Sequence, residues 1–407
     1  MTVKHQVVGI VQEHRWELDG ASWGGFSHYP INIRKKAFSE FYTHPITELI
    51  VAGDQLTREL ELLQATAKSI FLQKYLHKIR KKSSSKFSNA GYAERCIKVL
   101  REFNAQKPTI IYHQMNSFEL PREEFFMLAK DFNIILVSTL VDLQEIYFPE
   151  YFDSELIEKR HTAYKVNFNE AHSILAISDF LVHQAVQNIH VDSTKIIHTP
   201  LGADHDSEIF SDPSIRSRIP WDDKYVLFPA KSWSHKGHLG LISEMIRSNS
   251  DAKVIFVGNT SSIQSKVASL LKDEPSARNF VFLEYVSNSQ MKYLFQNSAA
   301  LVLPSVYEGF GLPYVEAALE GVPIVAFRND AVLEILGEDG AQLSDIGDFV
   351  SLVQAIKDVL NQDQSQMVAR ARLRAREFTW KRTAQTTIEG YLLAIENANR
   401  NLASRYG

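Results

Sequence analysis

The chain has 407 residues, of which 45% are hydrophobic and 23% charged, and this length exceeds a single ordinary core, so we expect two domains. Lys and Arg total 44 against 48 acidic residues, so no overall field favours nucleic acid, and local groups must bind any anionic ligand. The single cysteine, Cys96, excludes an intramolecular disulfide and is typical of a reducing compartment.

Two further features concern the location of the protein. The short apolar stretch at the N-terminus lacks a cleavage-site pattern, and no apolar run reaches the length of a membrane span. We therefore expect a cytoplasmic protein. The basic segment KIRKKSSSK (78–86) is interpreted as a solvated helix end followed by a loop, and the alternative is a weak peripheral contact with the inner face of the membrane.

The first half of the chain alternates short β-branched runs with longer helical patterns, which is typical of a parallel sheet covered by helices. Strands are predicted at 7–11, 48–53, 109–113, 133–140 and 173–178. Helices are predicted at 54–80, 90–105, 122–131 and 154–171. The first half therefore predicts one doubly wound domain.

A stretch rich in Pro, Gly, Asp and Ser at 199–224 interrupts this rhythm and is the predicted linker. The same alternation then restarts. Strands are predicted at 225–230, 253–258, 280–286, 299–305 and 323–327. Helices are predicted from about 237, 261, 289 and 313, then at 346–361 and at 364–398 with an interruption near Thr379. The chain is thus expected to be an α/β protein whose two doubly wound, Rossmann-like domains face a cleft.

A Gly-rich turn follows the strand at 299–305, in the sequence VYEGFGLPYVEA. Gly309 and Gly311 permit close approach of the backbone to a ligand, and Pro313 suits the first turn of a helix. The amides of that turn predict an anion site. Glu308 is expected to face the cleft, and Glu316 to accept hydrogen bonds from a diol such as ribose. Both glutamates are also compatible with ordinary helix-start and exposed helical positions.

Two lysines follow the first strand of the second domain, in FPAKSWSHKGH (228–238). Lys231 and Lys236 are five residues apart across a strand-to-helix turn, so both ammonium groups can converge on one point. Two such charges can neutralise a diphosphate without a metal ion. Together with the glutamates, they indicate a site for a sugar diphosphate.

The chain resembles the retaining glycosyltransferases of family 4, which have the GT-B fold of two Rossmann-like domains. The resemblance is almost continuous over the second domain and lies in PAKSWSHKGH, IFVGN, FTWKRTA and the pair of glutamates separated by seven residues in PSVYEGFGLPYVEA. It implies domains at 1–204, which binds the acceptor, and at 205–379, which binds the nucleotide sugar. A final helix at 380–407 would return to the first domain.

The resemblance also implies roles for individual residues. Glu308 would contact donor sugar hydroxyls, Glu316 the nucleotide ribose, and Lys236 the phosphates. Lys231 occupies a position where arginine is common, which keeps the charge but loses the bidentate fork. The donor site would be completed by the amides of Gly309, Phe310, Gly311 and Leu312.

The candidate acceptor-side residues lie in the first domain. The segment LVDLQEIYFPEYF (140–152) resembles a family segment in which a histidine precedes the aspartate; Val141 replaces that histidine and Asp142 remains. Gly24 and Gly25 resemble the glycine pair after the first strand. His113 is predicted to end a strand facing the cleft. The aromatic residues between Tyr147 and Phe152 are interpreted as core rather than as a sugar platform.

The expected function is transfer of a hexose, with retention, from a nucleotide diphosphate sugar to a hydroxyl of a glycan or lipid-linked acceptor in surface-polysaccharide synthesis. The segments DLQEIYFPEYF and SWSHKGH resemble the mannosyltransferase-like members of this family in bacterial surface-polysaccharide assembly, which implies GDP-mannose as the donor. Neither a metal ion nor another cofactor is expected. One alternative is a catalytically inactive nucleotide-sugar-binding subunit, favoured by Val141 and Lys231. Another is pyridoxal-phosphate-dependent phosphorolysis, for which the chain lacks the length and an evident lysine motif.

Overall fold

The computed structural model describes residues 8–14, 52–53, 109–114, 117, 126, 129–130, 134–203, 210–222 and 224–406, with the side chains of residues 111–401 within those ranges. Gly24, Gly25, Cys96, the segment 78–86 and the predicted helices at 54–80 and 90–105 lie outside the described residues. What the sequence indicates for these residues stays a prediction.

The first sheet has six parallel strands in the order β2-β1-β3-β4-β5-β6. These strands are β1 Val8–His14, β2 Ala52–Gly53, β3 Thr109–Gln114, β4 Ile135–Leu140, β5 Ser173–Ala176 and β6 Ile196–His198. The helices described in this half are α1 Gln144–Tyr147, α2 Ser154–Glu170 and α3 Asp179–Gln184, the last continued by a wider turn over Ala185–Ile189. Residues of β4 and β5 are buried throughout, as expected of strands covered on both faces.

The second sheet also has six parallel strands, in the order β12-β11-β10-β7-β8-β9. These strands are β7 Val226–Pro229, β8 Val254–Val257, β9 Phe280–Leu283, β10 Ala300–Leu303, β11 Ile324–Phe327 and β12 Gln342–Ser344. The helices around it are α4 His238–Arg247, α5 Gln264–Leu270, α6 Asn288–Asn297, α7 Leu312–Glu320, α8 Asp330–Leu336, α9 Phe349–Asn361 and α10 Ser365–Ala375. Strand order reverses between β7 and β10, which is the point where such sheets bind ligands.

Local sequence explains where several of these helices begin. Ser287 and Gln290 form a reciprocal capping box at the start of α6. The side chain of Asn329 accepts a hydrogen bond from the amide of Val332 at the start of α8, and Asp348 does the same for Ser351 in α9. These caps satisfy amides that would otherwise lack a partner.

The predicted fold class is confirmed, because both sheets are parallel and doubly wound. The predicted helix over 364–398 is divided into α10 and a last helix, α11 Trp380–Tyr406, with the break close to Thr379 as expected. The strands β6 and β12 and the helix α8 are absent from the prediction. Each has seven residues or fewer, too short for hydrophobic periodicity to be distinguished from a loop.

The chain between α10 and α11 passes close to the connection between the two sheets. The amide of Ala203 donates to the carbonyl of Phe378 over 3.1 Å, and Thr383 Oγ1 donates to the carbonyl of Pro200 over 2.7 Å. A Cβ atom on Gly202 would lie 2.1 Å from the amide nitrogen of Trp380. This crossing therefore depends on a residue without a side chain.

The last helix, α11, packs against the first sheet. Ser173 Oγ donates to the carbonyl of Gly390 over 2.7 Å, and a Cβ atom on Gly390 would lie 2.2 Å from Leu175 Cδ2. The C-terminal end of the chain is thus fixed to β5 by close packing.

We expect Gly390→Val to destabilise the protein by about 1–3 kcal/mol, because the added side chain overpacks the interface with Leu175. A lower thermal unfolding midpoint in scanning calorimetry is the readout. Glu389→Val, at the exposed neighbouring position, is the matched control for helix propensity. Equal midpoints for the two variants would contradict this packing.

Candidate active site

The candidate site lies where the strand order of the second sheet reverses. Strands β7 and β10 are neighbours, with Ala300 opposite Val226 and Leu301 opposite Leu227. Because both strands run in the same direction, their following loops meet at one edge of the sheet. The loop after β7 contains the two lysines, and the loop after β10 contains the Gly-rich turn.

Lys236 and Glu308 form an ion pair across these two loops, with Nζ donating to Oε1 over 2.6 Å. Their side chains are only 18% and 15% exposed, so solvent screens the pair less than at the surface. A one-turn helix at Ser234–Lys236 positions the lysine, and Gly237 follows with φ of 80°. The structure thus brings together two residues 72 positions apart in the sequence.

Lys231 lies at the start of the same loop and is partly buried, which lowers the pKa of its ammonium group. The neighbouring loop after β8 packs closely against it: a Cβ atom on Gly258 would lie 2.8 Å from the carbonyl oxygen of Ala230 and 3.2 Å from the amide nitrogen of Lys231. The role of Lys231 in binding a diphosphate stays a prediction.

The Gly-rich turn has the geometry of an anion site. Gly311 adopts φ of 97° immediately before α7, and Pro313 lies in the first turn of that helix. Within the part of the chain that the structure describes, no hydrogen bond from the amides of Gly309, Phe310, Gly311 or Leu312 is present. Those donors remain available to a ligand.

Phe310 contributes to this turn only through its backbone. Its ring is 3% exposed and packs edge-on against Phe378, with 5.5 Å between ring centroids. The Gly-rich turn is therefore anchored to the segment that joins α10 to α11.

Glu316 lies one turn into α7 and is partly buried. Burial, with a smaller contribution from Glu320, raises the pKa of its carboxyl from 4.5 to about 7. Among the described residues, Glu316 has no hydrogen-bond or ion-pair partner. This is not the exposed helical glutamate of the alternative interpretation, and its carboxylate is suited to neutral hydroxyl donors.

Asp142, predicted on the acceptor side, lies directly against the Gly-rich turn. A Cβ atom on Gly309 would lie 2.1 Å from the carbonyl oxygen of Val141 and 3.3 Å from Asp142 Cβ. Burial and the neighbouring Glu145 raise the pKa of Asp142 to about 7, against the opposing effects of Arg160 and Lys236. Among the described residues, Asp142 Oδ1 is buried without a hydrogen-bond partner. An unpaired buried acceptor is costly, so this atom is suited to a ligand hydroxyl.

Other hydrogen bonds join the two halves at the same place. Ser178 Oγ donates to the carbonyl of Gly309 over 2.8 Å, and the amide of Leu143 donates to the hydroxyl of Tyr307 over 2.9 Å. Farther along, the Glu334 carboxylate accepts from the amides of Asp179 and Phe180 at the start of α3, over 2.8–3.2 Å. The two sheets are therefore held together at the candidate site.

Two expectations about the first domain need correction. His113 does not face the cleft: it is fully buried, with Nδ1 2.8 Å from the Tyr391 hydroxyl and Nε2 2.7 Å from Thr139 Oγ1. It thus lies between β3, β4 and α11, because side chains of a strand alternate between the two faces of a sheet.

The aromatic residues between Tyr147 and Phe152 are not core. Tyr147 is 37% exposed, Tyr151 is 38% exposed, and Phe148 and Phe152 are only partly buried. Tyr147 ends α1, and Tyr151 ends the one-turn helix Pro149–Tyr151; their rings face Tyr307 and His235 of the second domain. A short apolar run gives no indication of which side faces the partner domain.

The sequence did not indicate several residues that lie at the site. Glu145 is fully buried and paired with Arg160 over 3.0 Å, and Tyr307 and Glu334 join the two halves. The proximity of Glu145 to Asp142, three residues apart, was the one available signal for a carboxylate pair.

The described residues include no cluster of three or more His, Cys, Asp or Glu side chains that could hold a metal ion. Within the same residues, no helix is long and apolar enough to span a membrane.

Comparisons of structure establish the class of fold. A glycosyltransferase from Rickettsia africae superposes with a TM-score of 0.65 at 16% identity, over 97% of this chain and all of the other. Anabaena Alr3699/HepE, a structure in complex with UDP and glucose, superposes with a TM-score of 0.62 at 15% identity, over 94% of this chain and 98% of that one. The protein has the GT-B fold of two Rossmann-like domains.

Comparisons of sequence then show which proteins the chain is similar to. Residues 212–377 match the family Glycosyl transferases group 1. The O-antigen chain mannosyltransferase B of Escherichia coli is 24% identical over 90% of this chain and 99% of its own length. The O-antigen chain mannosyltransferase RfbU of Salmonella typhimurium is 29% identical over 54% of this chain and 60% of its own. Residues 212–377 are therefore similar to a glycosyltransferase group 1 domain.

We expect Glu316→Gln to raise the thermal unfolding midpoint of the ligand-free protein more at pH 8 than at pH 5. The folded state holds the proton of Glu316 more tightly than the unfolded chain, with pKa values of about 7 and 4.5. Ionisation therefore costs stability, and this cost grows as the pH rises from 4.5 to 7. Glutamine removes the cost.

The exposed Glu389→Gln, on α11, is the control for loss of a charge. A difference between Glu316→Gln and wild type that is the same at both pH values would contradict the raised pKa.

Proposed function

We propose that the protein is a metal-independent, retaining glycosyltransferase. It moves mannose from GDP-mannose to a hydroxyl of a glycan or lipid-linked acceptor in surface-polysaccharide synthesis. The observation that supports this most directly is the meeting of Lys236, Glu308 and four amides of the Gly-rich turn at the reversal point of the second sheet. Those amides have no hydrogen-bond partner among the described residues. Such a constellation offers positive charge to a diphosphate and a carboxylate to sugar hydroxyls.

Exchange of partners at the ion pair is the first step. The diphosphate of the donor replaces Glu308 as the partner of Lys236, and Glu308 then accepts hydrogen bonds from the sugar hydroxyls. Glu316 accepts from the ribose diol, for which its unpaired and partly buried carboxylate is suited. Binding therefore replaces one charge-assisted interaction by several.

The chemical step breaks the bond between the anomeric carbon and the diphosphate oxygen, with positive charge developing on the sugar. The acceptor oxygen bonds to the same face of that carbon, and its proton passes to an oxygen of the leaving diphosphate. Lys236, Lys231 and the amides of the turn stabilise the developing negative charge, and each preorganised donor is worth about 3 kcal/mol. This step needs no nucleophile from the protein.

The relatives support the choice of sugar. Two of them are named O-antigen chain mannosyltransferases, and one of these aligns with nearly the whole chain. We infer from those names that mannose is the transferred sugar and a polysaccharide repeat the acceptor. An inactive nucleotide-sugar-binding subunit is the competing function, and measurement of turnover distinguishes the two.

We expect Lys236→Ala to lower the rate of GDP-mannose turnover by about 10²–10³, the loss typical of one preorganised charge-stabilising donor. Release of GDP is the readout, with water and methyl α-D-mannopyranoside as acceptors. Lys272→Ala, at an exposed position outside the cleft, is the matched control. If wild type turns over neither GDP-mannose nor any other nucleotide sugar, the enzyme proposal fails.

Removal of divalent metal ions is expected to leave the rate unchanged, because the lysines and amides supply the charge stabilisation. The same GDP-release assay in excess EDTA, with and without added Mg²⁺, measures this. A rate that disappears with EDTA and returns with Mg²⁺ would contradict metal independence.

A further inference from the structure

A cavity of about 180 Å³ lies between the two domains beside Glu308. Its walls come from α3 and from the end of α1 with the residue after it in the first domain. In the second domain they come from the loops after β10, β11 and β12 and from the start of α8. The lining residues are Tyr147, Phe148, Phe180, Gln184, Val306, Tyr307, Glu308, Arg328, Asn329, Asp330 and Ile346.

This cavity is separate from the space in which the donor phosphates are proposed to bind. Of the predicted donor-site residues, Glu308 lines it, whereas Lys231, Lys236 and the turn from Gly309 to Leu312 do not. The cavity and the donor turn therefore meet at the carboxylate that is proposed to bind the transferred sugar.

Four aromatic rings form one side of the cavity. The ring centroid of Tyr307 lies 6.3 Å from that of Tyr147, 6.0 Å from that of Phe148 and 6.0 Å from that of Phe180. The Tyr307 hydroxyl accepts from the amide of Leu143 and donates to Gln184 Oε1 over 3.4 Å, so this ring is fixed. Tyr147 is 37% exposed and thus offers ring surface to a ligand.

Polar groups form the remaining wall. Glu308, Asp330 and the side chain of Arg328 lie there, and Arg328 is paired with Glu338. The pKa of the Tyr147 phenol is raised, first by burial and also by the nearby carboxylate of Asp330. An aliphatic ligand would remove these charged groups from water without compensation, which is costly. A ligand with one apolar face and several hydroxyls satisfies both walls.

We infer that this cavity holds the sugar residue of the acceptor, with its apolar face on the Tyr147 ring and its hydroxyls towards Glu308 and Asp330. This inference rests on the proposed transferase function. The volume is smaller than the roughly 300–1,000 Å³ of pockets for drug-sized ligands. The cavity therefore suits one sugar unit of a longer acceptor, placed beside the transferred sugar.

The test uses the full chain, with methyl α-D-mannopyranoside as the acceptor probe and GDP-mannose as the donor. Tyr147→Ala is expected to raise the acceptor KM about tenfold, because the acceptor loses one aromatic contact. The donor KM and the rate of donor hydrolysis in the absence of acceptor are expected to stay unchanged. Tyr147→Phe keeps the ring and is expected to keep the wild-type acceptor KM.

Phe210→Ala is the matched control, because Phe210 is an 81% exposed aromatic residue outside the cavity lining. Saturation-transfer NMR with methyl α-D-mannopyranoside in the presence of GDP provides a readout that needs no turnover. Wild type, Tyr147→Phe and Phe210→Ala are expected to give saturation transfer, and Tyr147→Ala to give much less.

The outcomes separate the two proposals. An unchanged acceptor KM and unchanged saturation transfer in Tyr147→Ala would overturn the acceptor site. An increase confined to the donor KM would overturn it as well and would assign the cavity to the donor sugar. If no nucleotide sugar is turned over, the proposed function fails, and the NMR comparison still decides whether the cavity binds a sugar.

Discussion

The close approach of Gly309 to the carbonyl of Val141 is the contact on which the rest of the site depends. A Cβ atom would lie 2.1 Å from that oxygen, so any side chain would push the two domains apart. The same approach permits the hydrogen bond from Ser178 to Gly309 and the one from Leu143 to Tyr307. The Gly-rich turn and the end of β4 are therefore one unit, although they belong to different sheets.

Several charged side chains of that unit lie close together and are largely buried. Lys236 and Glu308 satisfy each other over 2.6 Å, while Asp142 and Glu316 are left without a cationic partner at hydrogen-bond distance among the described residues. Burial is the main cause that raises the pKa of both carboxyls to about 7. Unpaired buried groups lower stability, and such costs are typical of sites built for a ligand. The electrostatics thus agree with a site whose charges are rearranged when a polar ligand binds.

Much of the fold could be predicted from the sequence, because buried parallel strands appear as continuous β-branched runs and their helices as longer periodic segments. The lysine loop and the glutamate turn were also recognisable, since each directly follows such a run. Short elements such as β6, β12 and α8 were not, and neither was the side of the sheet occupied by His113. The aromatic residues around Tyr147 were assigned to the core because apolar character alone does not distinguish a domain interior from a cleft wall.

The sequence by itself determined the α/β class, the two-domain pattern and the residue types that can bind a sugar diphosphate, because these depend on local periodicity and on chemistry within one loop. The tertiary structure alone decided which residues meet. Strand order placed β7 beside β10 and so joined Lys236 to Glu308, and domain contact placed Asp142 against Gly309 and Tyr147 beside the cavity. Such contacts between distant segments arise from long-range packing, which no local pattern encodes.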